Sequence, residues 1–212
     1  MKIFLVIFLG LVSLTGHAQS TLELGQFSKG RVSDWQEKSF AGQTRYDLVE
    51  LEGRQVIHAD SIATASAFYL PVEVNLNKTP NLHWTWRKRV AIDPGEEKTR
   101  AGDDFVARVY VIKKGGVFFW NTRAINYVWS SNNEKNDHWA NPFAGDNAQM
   151  LVLRNEDDPE HQWFKETRNV KQDFSELFGK DVDLIDGIAI MTDSDNSGLK
   201  ASAYYGDIYF SE

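Results

Sequence analysis

Short segments in which apolar and polar residues alternate constrain the fold of this chain more than any other feature. Polar turn clusters separate them and recur roughly every ten to twenty residues. Successive side chains of a β-strand point to opposite faces of a sheet, so this alternation is typical of strands with one buried face. No repeat of fixed period and no linker interrupts the pattern. The sequence therefore predicts a single all-β domain over residues 19–212, arranged as a two-sheet β-sandwich.

The strand pattern covers most of the chain. We predict strands over residues 44–51, 55–59, 67–72, 81–87, 105–112, 124–130, 150–154, 163–170, 187–192 and 203–210. The pair Glu52-Gly53 between the first two segments indicates a hairpin. Residues 173–179 have apolar positions at helical spacing and end on Gly179, which predicts the one short helix.

Alternation also assigns the faces of individual strands. In residues 82–87 the apolar set is Leu82, Trp84 and Trp86, which predicts a core-facing side. The strand over residues 105–112 divides in the same way. Its two faces are Phe105, Ala107, Val109 and Val111 on the apolar side, and Val106, Arg108 and Tyr110 opposite.

The first residues have the features of a secretory leader. Lys2 precedes an apolar run over residues 3–14, and small residues lead to Ala18. We predict a signal peptide over residues 1–18 and a periplasmic or secreted protein with no membrane span after cleavage. A retained anchor is the alternative, but the run is shorter than the about 20 residues that a spanning helix needs. The chain has no Cys, so no disulfide stabilises it.

Composition excludes one class of partner. The chain has 23 Lys and Arg against 30 Asp and Glu, and this negative charge disfavours binding to nucleic acid. Its aromatic content of 13% suits both a wide sheet core and a surface that stacks on sugars. Composition does not distinguish these two uses.

Several phrases occur in a fixed order along the chain. They include LHWTWR at residues 82–87, AGDDFVARVY at residues 101–110 and MTDSDNSG at residues 191–198. The others lie at residues 40–46, 126–130, 166–170 and 205–208. Together they resemble an uncharacterised bacterial family, domain of unknown function 3047, over nearly all of residues 19–212. The resemblance implies an exported protein and, by analogy of fold, a galactose-binding-like jelly roll akin to carbohydrate-binding modules. It implies no reaction.

An oxygen-rich segment at residues 193–198 is a candidate metal site. Asp193, Asp195 and Asn196 precede Gly198, and hard oxygen ligands of this kind suit calcium in a structural role. Asp207 in the last strand is a candidate further ligand. The alternative is a polar β-turn in which Asp and Asn side chains bond to their own backbone.

Charged and polar residues at alternating strand positions are candidates for a binding face. We expect Arg108, Tyr110, Asn126, Glu166 and Arg168 to line one concave sheet face. The guanidinium groups of the two arginines would donate paired hydrogen bonds to the carboxylate or hydroxyl groups of a ligand. The alternative is a structural Arg–Glu network across the sheet, because a buried charge needs a partner.

Two tryptophans and two carboxylates complete the candidate site. Trp129 and Trp139 flank the polar loop of residues 130–138, which predicts that they stack on a sugar ring. Asp103 and Asp104 are a ligand site, an acid/base pair or structural groups, one anchoring a loop and the other forming a salt bridge.

The sequence thus predicts an exported module that binds a carbohydrate or another polar, even acidic, ligand on one sheet face or its rim. One alternative is an enzyme acting on envelope glycans, with Asp103, Asp104 or Glu166 as acid/base groups. A second alternative is an envelope accessory protein that binds another protein.

Overall fold

A computed structural model describes residues 20–116 and 121–212. The leader predicted over residues 1–18 lies outside this part of the chain. No helix of the described residues is both long and apolar enough to cross a membrane.

Strands make up about half of the described residues. They are β1 (Thr21–Gly25), β2 (Gln36–Ala41), β3 (Arg45–Leu51), β4 (Arg54–Ile62), β5 (Ala65–Asn75), β6 (Asn81–Val90), β7 (Ala107–Lys113), β8 (Arg123–Trp129), β9 (His138–Asn141), β10 (Gly145–Arg154), β11 (Phe164–Asn169), β12 (Leu184–Met191) and β13 (Lys200–Ser211). The helix α1 spans Val170–Phe178, and short 3-10 turns lie at Phe27–Lys29 and Arg100–Gly102.

The strands form two sheets. One sheet has six strands in the order β11-β6-β13-β4-β3, with β1 pairing to β13 beside β4. The other has seven strands in the order β2-β5-β12-β7-β8-β10-β9. All pairs are antiparallel except β8 and β10, which are parallel. The chain crosses repeatedly between the sheets, and the predicted all-β, jelly-roll-like sandwich with one short helix is confirmed.

Aromatic side chains fill the space between the sheets. Trp84 and Trp86 of β6 are at most 1% exposed, as the alternation of residues 82–87 predicts. The Trp84 ring lies 5.3 Å from that of Tyr127, and the Trp86 ring lies 5.7 Å from that of Trp129. These contacts join β6 of one sheet to β8 of the other. Each buried aromatic ring of this size removes about 150–250 Å² from water, so this layer contributes much of the hydrophobic stabilisation.

The predicted faces of the strand over residues 105–112 are correct only from residue 107 onward. Ala107 and Val109 lie in the core between the sheets, and Arg108 points outward. Phe105 packs instead on the outer side of the sheet, while Val106 enters the core. The strand begins at Ala107, so the two-residue period does not extend to the irregular backbone before it.

The structure confirms the hairpin turn and the short helix that the sequence predicts. Glu52 and Gly53 join β3 to β4 with φ values of 54° and 77°, the left-handed conformations that a tight hairpin requires. The helix starts earlier than predicted, because the Asn169 side chain accepts a hydrogen bond from the backbone N–H of Gln172 and caps it. Gly179 ends it in a left-handed conformation. The edge strands β1, β2 and β9 were not predicted.

Candidate functional site

A groove of about 480 Å³ lies on the outer face of the seven-stranded sheet. Its floor is built from small side chains on four strands, Ala41, Ala65, Ala124 and Ala148, together with Met191. Alanine side chains barely rise above the backbone of a sheet. A row of them therefore leaves an open channel where larger outward-facing residues would fill the space.

Three of the predicted ligand-binding residues meet in this groove. Arg108 and Tyr110 lie two residues apart on β7, so both point outward. Asn126 lies on β8 directly opposite Tyr110. The structure thus brings Arg108, Tyr110 and Asn126 together on one sheet face, as expected.

Arg108 is the centre of a buried charged network. Its guanidinium is 3% exposed and pairs with the Asp193 carboxylate through both Nε, at 2.8 Å, and Nη2. Nη2 also donates to the backbone carbonyl of Asp103. Nη1 lies 3.5 Å from the Asp103 carboxylate and 3.3 Å from the Tyr110 hydroxyl. The five N–H groups all have acceptors within the protein, so Arg108 organises the groove and has no free donor for a ligand.

Three carboxyls of the groove have raised pKa values; we call Asp103, Asp193 and Asp195 the groove carboxyls. Burial raises the pKa of Asp193 to about 8, and the Arg108 guanidinium limits that rise. Burial is also the main cause of the raised pKa values of Asp103 and Asp195. A single guanidinium faces three carboxyls, so the groove lining has more acidic than basic groups.

Asn126 offers an unpaired acceptor inside the groove. The residue is 1% exposed, and its Oδ1 is buried without a hydrogen-bond partner among the described residues. Its Nδ2 lies 3.4 Å from the Gln149 carbonyl oxygen. Buried polar atoms without a partner are rare and costly, so this oxygen indicates a donor that the protein itself does not supply.

Two exposed aromatic rings flank the groove. Phe40 is 62% exposed on the edge strand β2, and Phe143 is 54% exposed in the turn between β9 and β10. These strands lie at or next to opposite edges of the sheet. Sequence reasoning missed both residues. The signal that could have found them is a lone phenylalanine in a polar segment, where no core position explains it.

The two tryptophans predicted to stack on a ligand lie elsewhere. Trp129 is 1% exposed between the sheets, and its Nε1 donates to the Asn155 carbonyl at 2.9 Å. Trp139 is on the outer side but is covered by Phe105, 6.3 Å away, and by the Lys98 ammonium, 5.2 Å above its ring. Neither ring lines the groove. The sequence shows that both residues lie beside a loop, but it does not show which side chains cover them.

Glu166 and Arg168 are not on the face that carries Arg108, and the prediction that they share it is wrong. Both lie on β11 of the six-stranded sheet. Glu166 accepts hydrogen bonds from Trp86 Nε1 at 3.0 Å and Arg154 Nε at 2.6 Å. Arg168 Nε donates to Asp173 at 2.9 Å. Alternation shows which residues of a strand share a face, but not to which sheet the strand belongs.

Asp103 and Asp104 take the structural roles that one alternative predicts. Asp103 pairs with Arg108 and accepts a hydrogen bond from Asn141 Nδ2 at 3.0 Å. Asp104 accepts hydrogen bonds from the backbone N–H of Asn196 at 3.2 Å and of Ser197 at 2.6 Å. Asp104 thereby holds the loop of residues 193–198 against the groove.

The candidate calcium ligands are only partly assembled. Asp193 and Asp195 lie near Asp104, with one carboxylate oxygen of each within 4.8 Å of the others. The Asn196 amide nitrogen donates to Asp104 at 3.1 Å. Asp207 is held instead by Ser28, whose backbone N–H and hydroxyl donate to it at 2.8 and 2.5 Å. Asp207 is therefore not part of this cluster, and calcium binding by the loop stays a prediction.

The comparisons with known proteins identify a family but no activity. The family model described as Protein of unknown function (DUF3047) matches residues 33–209, which confirms the resemblance found in the ordered phrases. No curated protein matches the sequence.

Solved structures match at low identity. The xyloglucanase domain of NopAA from Sinorhizobium fredii, in complex with cellobiose, is 11% identical, with 93% of this chain and 100% of that chain covered and a TM-score of 0.45. A low-affinity xylan-binding module from Roseburia intestinalis is 12% identical, with coverages of 92% and 97% and a TM-score of 0.35. The match to the glycoside hydrolase domain of Endo-D from Streptococcus pneumoniae is 10% identical, spans 84% of this chain but only 21% of that one, and has a TM-score of 0.41.

Proposed function

Since the chain belongs to the DUF3047 family, whose description names no ligand, we propose from the groove itself that the protein binds a neutral carbohydrate there. The observation that carries this proposal is the unpaired Oδ1 of Asn126, buried in the groove. A sugar hydroxyl is a donor that satisfies such an oxygen without bringing a charge into a buried site.

The balance of donors and acceptors supports a neutral ligand over an acidic one. The Arg108 N–H groups are all engaged within the protein, and the groove carboxyls add acceptors. Inside the groove a ligand carboxylate would meet these oxygens with no free cation to pair with, because Lys38 and Arg100 lie against the rim rings of Phe40 and Phe143 and do not line the groove. Hydroxyl groups can donate to carboxylate and amide oxygens alike, so a polyhydroxylated ligand fits this set.

The aromatic rims support a ligand with apolar faces. Phe40 and Phe143 lie on either side of an alanine floor, and both stay more than half exposed although the Lys38 ammonium lies 5.6 Å from the Phe40 ring and the Arg100 guanidinium 5.2 Å from the Phe143 ring. The C–H face of a sugar ring packs on an aromatic ring, and such contacts contribute about 0.5–1.5 kcal/mol each beyond burial. The groove volume of about 480 Å³ lies in the range typical of small-ligand sites.

Isothermal titration calorimetry of the purified protein with neutral oligosaccharides and with an oligouronide tests the proposal. We expect at least one neutral glycan to bind and the oligouronide to bind more weakly. Phe143→Ala should weaken binding by about threefold to tenfold. Leu199→Ala is the matched control, because Leu199 is exposed and apolar but does not line the groove.

The proposal would fail if no neutral glycan bound, or if the oligouronide bound best. It would also fail if Phe143→Ala and Leu199→Ala had the same effect on affinity, since binding would then take place away from the groove.

A further inference from the structure

A second pocket, of about 450 Å³, lies away from the groove and shares no lining residue with it. It is located where β6 and β8 end and is closed by residues 156–160, which lead from β10 toward β11. Lys88 and Trp129 line it together with the acidic side chains Glu156 and Glu160. The proposed carbohydrate site uses none of these residues.

Lys88 is a buried cation without a salt bridge. The residue is 5% exposed, and its ammonium lies 5.2 Å above the Trp129 ring. Within residues 20–116 and 121–212, no carboxylate oxygen lies within the 4.0 Å of this ammonium that an ion pair requires. Burial lowers the pKa of Lys88, although the acidic groups Glu160, Asp158 and Glu156 oppose the change. The ammonium therefore faces the pocket without an ion-pair partner, and a ligand carboxylate placed there would gain a charge-assisted contact.

The rim of the same pocket has the opposite charge. Glu156 and Glu160 are exposed there, beyond ion-pair distance from Lys88. Glu160 accepts one hydrogen bond, from the backbone N–H of Ala91 at 2.9 Å. Asp158 is already neutralised by Lys135 at 2.9 Å and Arg154 at 3.3 Å. The pocket lining therefore has one cation inside and three exposed carboxylates, since Asp93 also lines it and forms no ion pair among the described residues, and Glu160 has the exposed His161 ring 3.9 Å away.

A ligand with one kind of charge fits this arrangement poorly. A simple anion would pair with Lys88 but would pass the exposed carboxylates of Asp93, Glu156 and Glu160. A simple cation would suit the mouth but would leave Lys88 unpaired. Each like-charge contact reduces the gain from the opposite one, and the effect is largest where water is excluded.

We infer that this pocket binds a small zwitterion of the amino-acid class, whose carboxylate pairs with Lys88 and whose ammonium group faces Glu156 and Glu160. The ligand completes a charge pattern that the protein leaves open. The pocket, of about 450 Å³, has room for a molecule of this size.

Calorimetric titration of the full chain with a matched set of probes tests the inference. Alanine, β-alanine and γ-aminobutyrate carry both charges at increasing separation, propionate and propylamine carry one each, and glucose carries none. We expect at least one amino acid to bind about tenfold or more tightly than propionate, propylamine and glucose.

Variants locate the binding. Lys88→Met keeps most of the aliphatic stem and should abolish amino-acid binding, whereas Lys78→Met, at an exposed position, should leave it unchanged. Glu156→Gln should weaken binding severalfold, and because Glu156 is exposed this variant gives a reading even where Lys88→Met does not fold. Glycan binding in the groove should be the same in all three variants, so the two proposals can fail separately.

Three results would overturn the inference. They are propionate binding as tightly as the best amino acid, glucose binding more tightly than the best amino acid, and no probe binding at all. Amino-acid binding that survives both Lys88→Met and Glu156→Gln would place the ligand elsewhere and also reject it.

Discussion

Replacing Arg108 by methionine removes the one cation of a buried network and should strongly destabilise the protein. The Arg108 and Asp193 side chains are 3% and 2% exposed, so Asp193 would lose its charge partner with almost no access to water. Removing one partner of a buried ion pair typically costs about 3–5 kcal/mol. For a chain of this size each kcal/mol corresponds to about 2–4 °C in melting temperature, so we expect a fall of about 6–20 °C.

Urea unfolding followed by tryptophan fluorescence measures the loss. Arg45→Met is the matched control, because the Arg45 side chain is 64% exposed and its 2.8 Å salt bridge with Asp47 contributes at most about 1 kcal/mol. The double variant Arg108→Met/Asp193→Asn should recover more than half of the loss. It removes the unpaired charge and keeps an acceptor for the backbone N–H of Phe105.

The difference in unfolding free energy between Arg108→Met and Arg45→Met should also grow above pH 7. Asp193 can then less easily take up a proton to compensate for the loss of Arg108. The reasoning is refuted if Arg108→Met is within 1 kcal/mol of Arg45→Met, or if the double variant is less stable than Arg108→Met alone.

Three other outcomes are expected. Because burial raises the pKa values of Asp103 and Asp195, each keeps a proton in the folded protein at a pH where the unfolded chain has begun to lose it. Their contribution to stability should therefore fall as the pH rises above about 4, and an Asp195→Asn variant whose melting temperature depends on pH just as that of the unaltered protein does, by differential scanning fluorimetry, would contradict it. Asn126→Leu should leave the unfolding free energy unchanged or higher while weakening glycan binding in the groove, since it removes a buried oxygen without a partner; a large loss of stability by urea titration would show that this oxygen is paired. Gly206→Ala should cost about 1–3 kcal/mol in the same titration, because its Cβ would meet Thr85 Oγ1 at 2.2 Å, and Gly206→Ala/Thr85→Ala should recover part of that loss.

Local patterns predicted the fold well because the information they need lies within a few residues. Alternation in residues 82–87 identified Trp84 and Trp86 as core, and the Glu52-Gly53 pair identified the hairpin. The edge strand β2 escaped detection for a physical reason. β2 is mostly exposed and has polar residues on both of its faces. It therefore lacks the alternation of apolar and polar residues from which a strand is predicted.

The candidate site was harder to predict, because its contacts join distant parts of the chain. Arg108 was identified, but its partner Asp193 lies 85 residues away, and the sequence pointed to Glu166 instead. Strand order decides which charged residues meet, and alternation within a strand carries no information on it. The rim residue Phe143 was missed because a turn has no face from which exposure can be inferred.

The position of β13 has a consequence for biosynthesis. β1, β4 and β6 all hydrogen-bond to this last strand. Without it the six-stranded sheet separates into the pairs β3–β4 and β6–β11, and two-stranded units are marginally stable in water. The six-stranded sheet can therefore assemble only after residues 200–211 have been synthesised. A messenger RNA truncated before these codons would give an incompletely folded chain that proteases degrade, instead of a smaller functional domain.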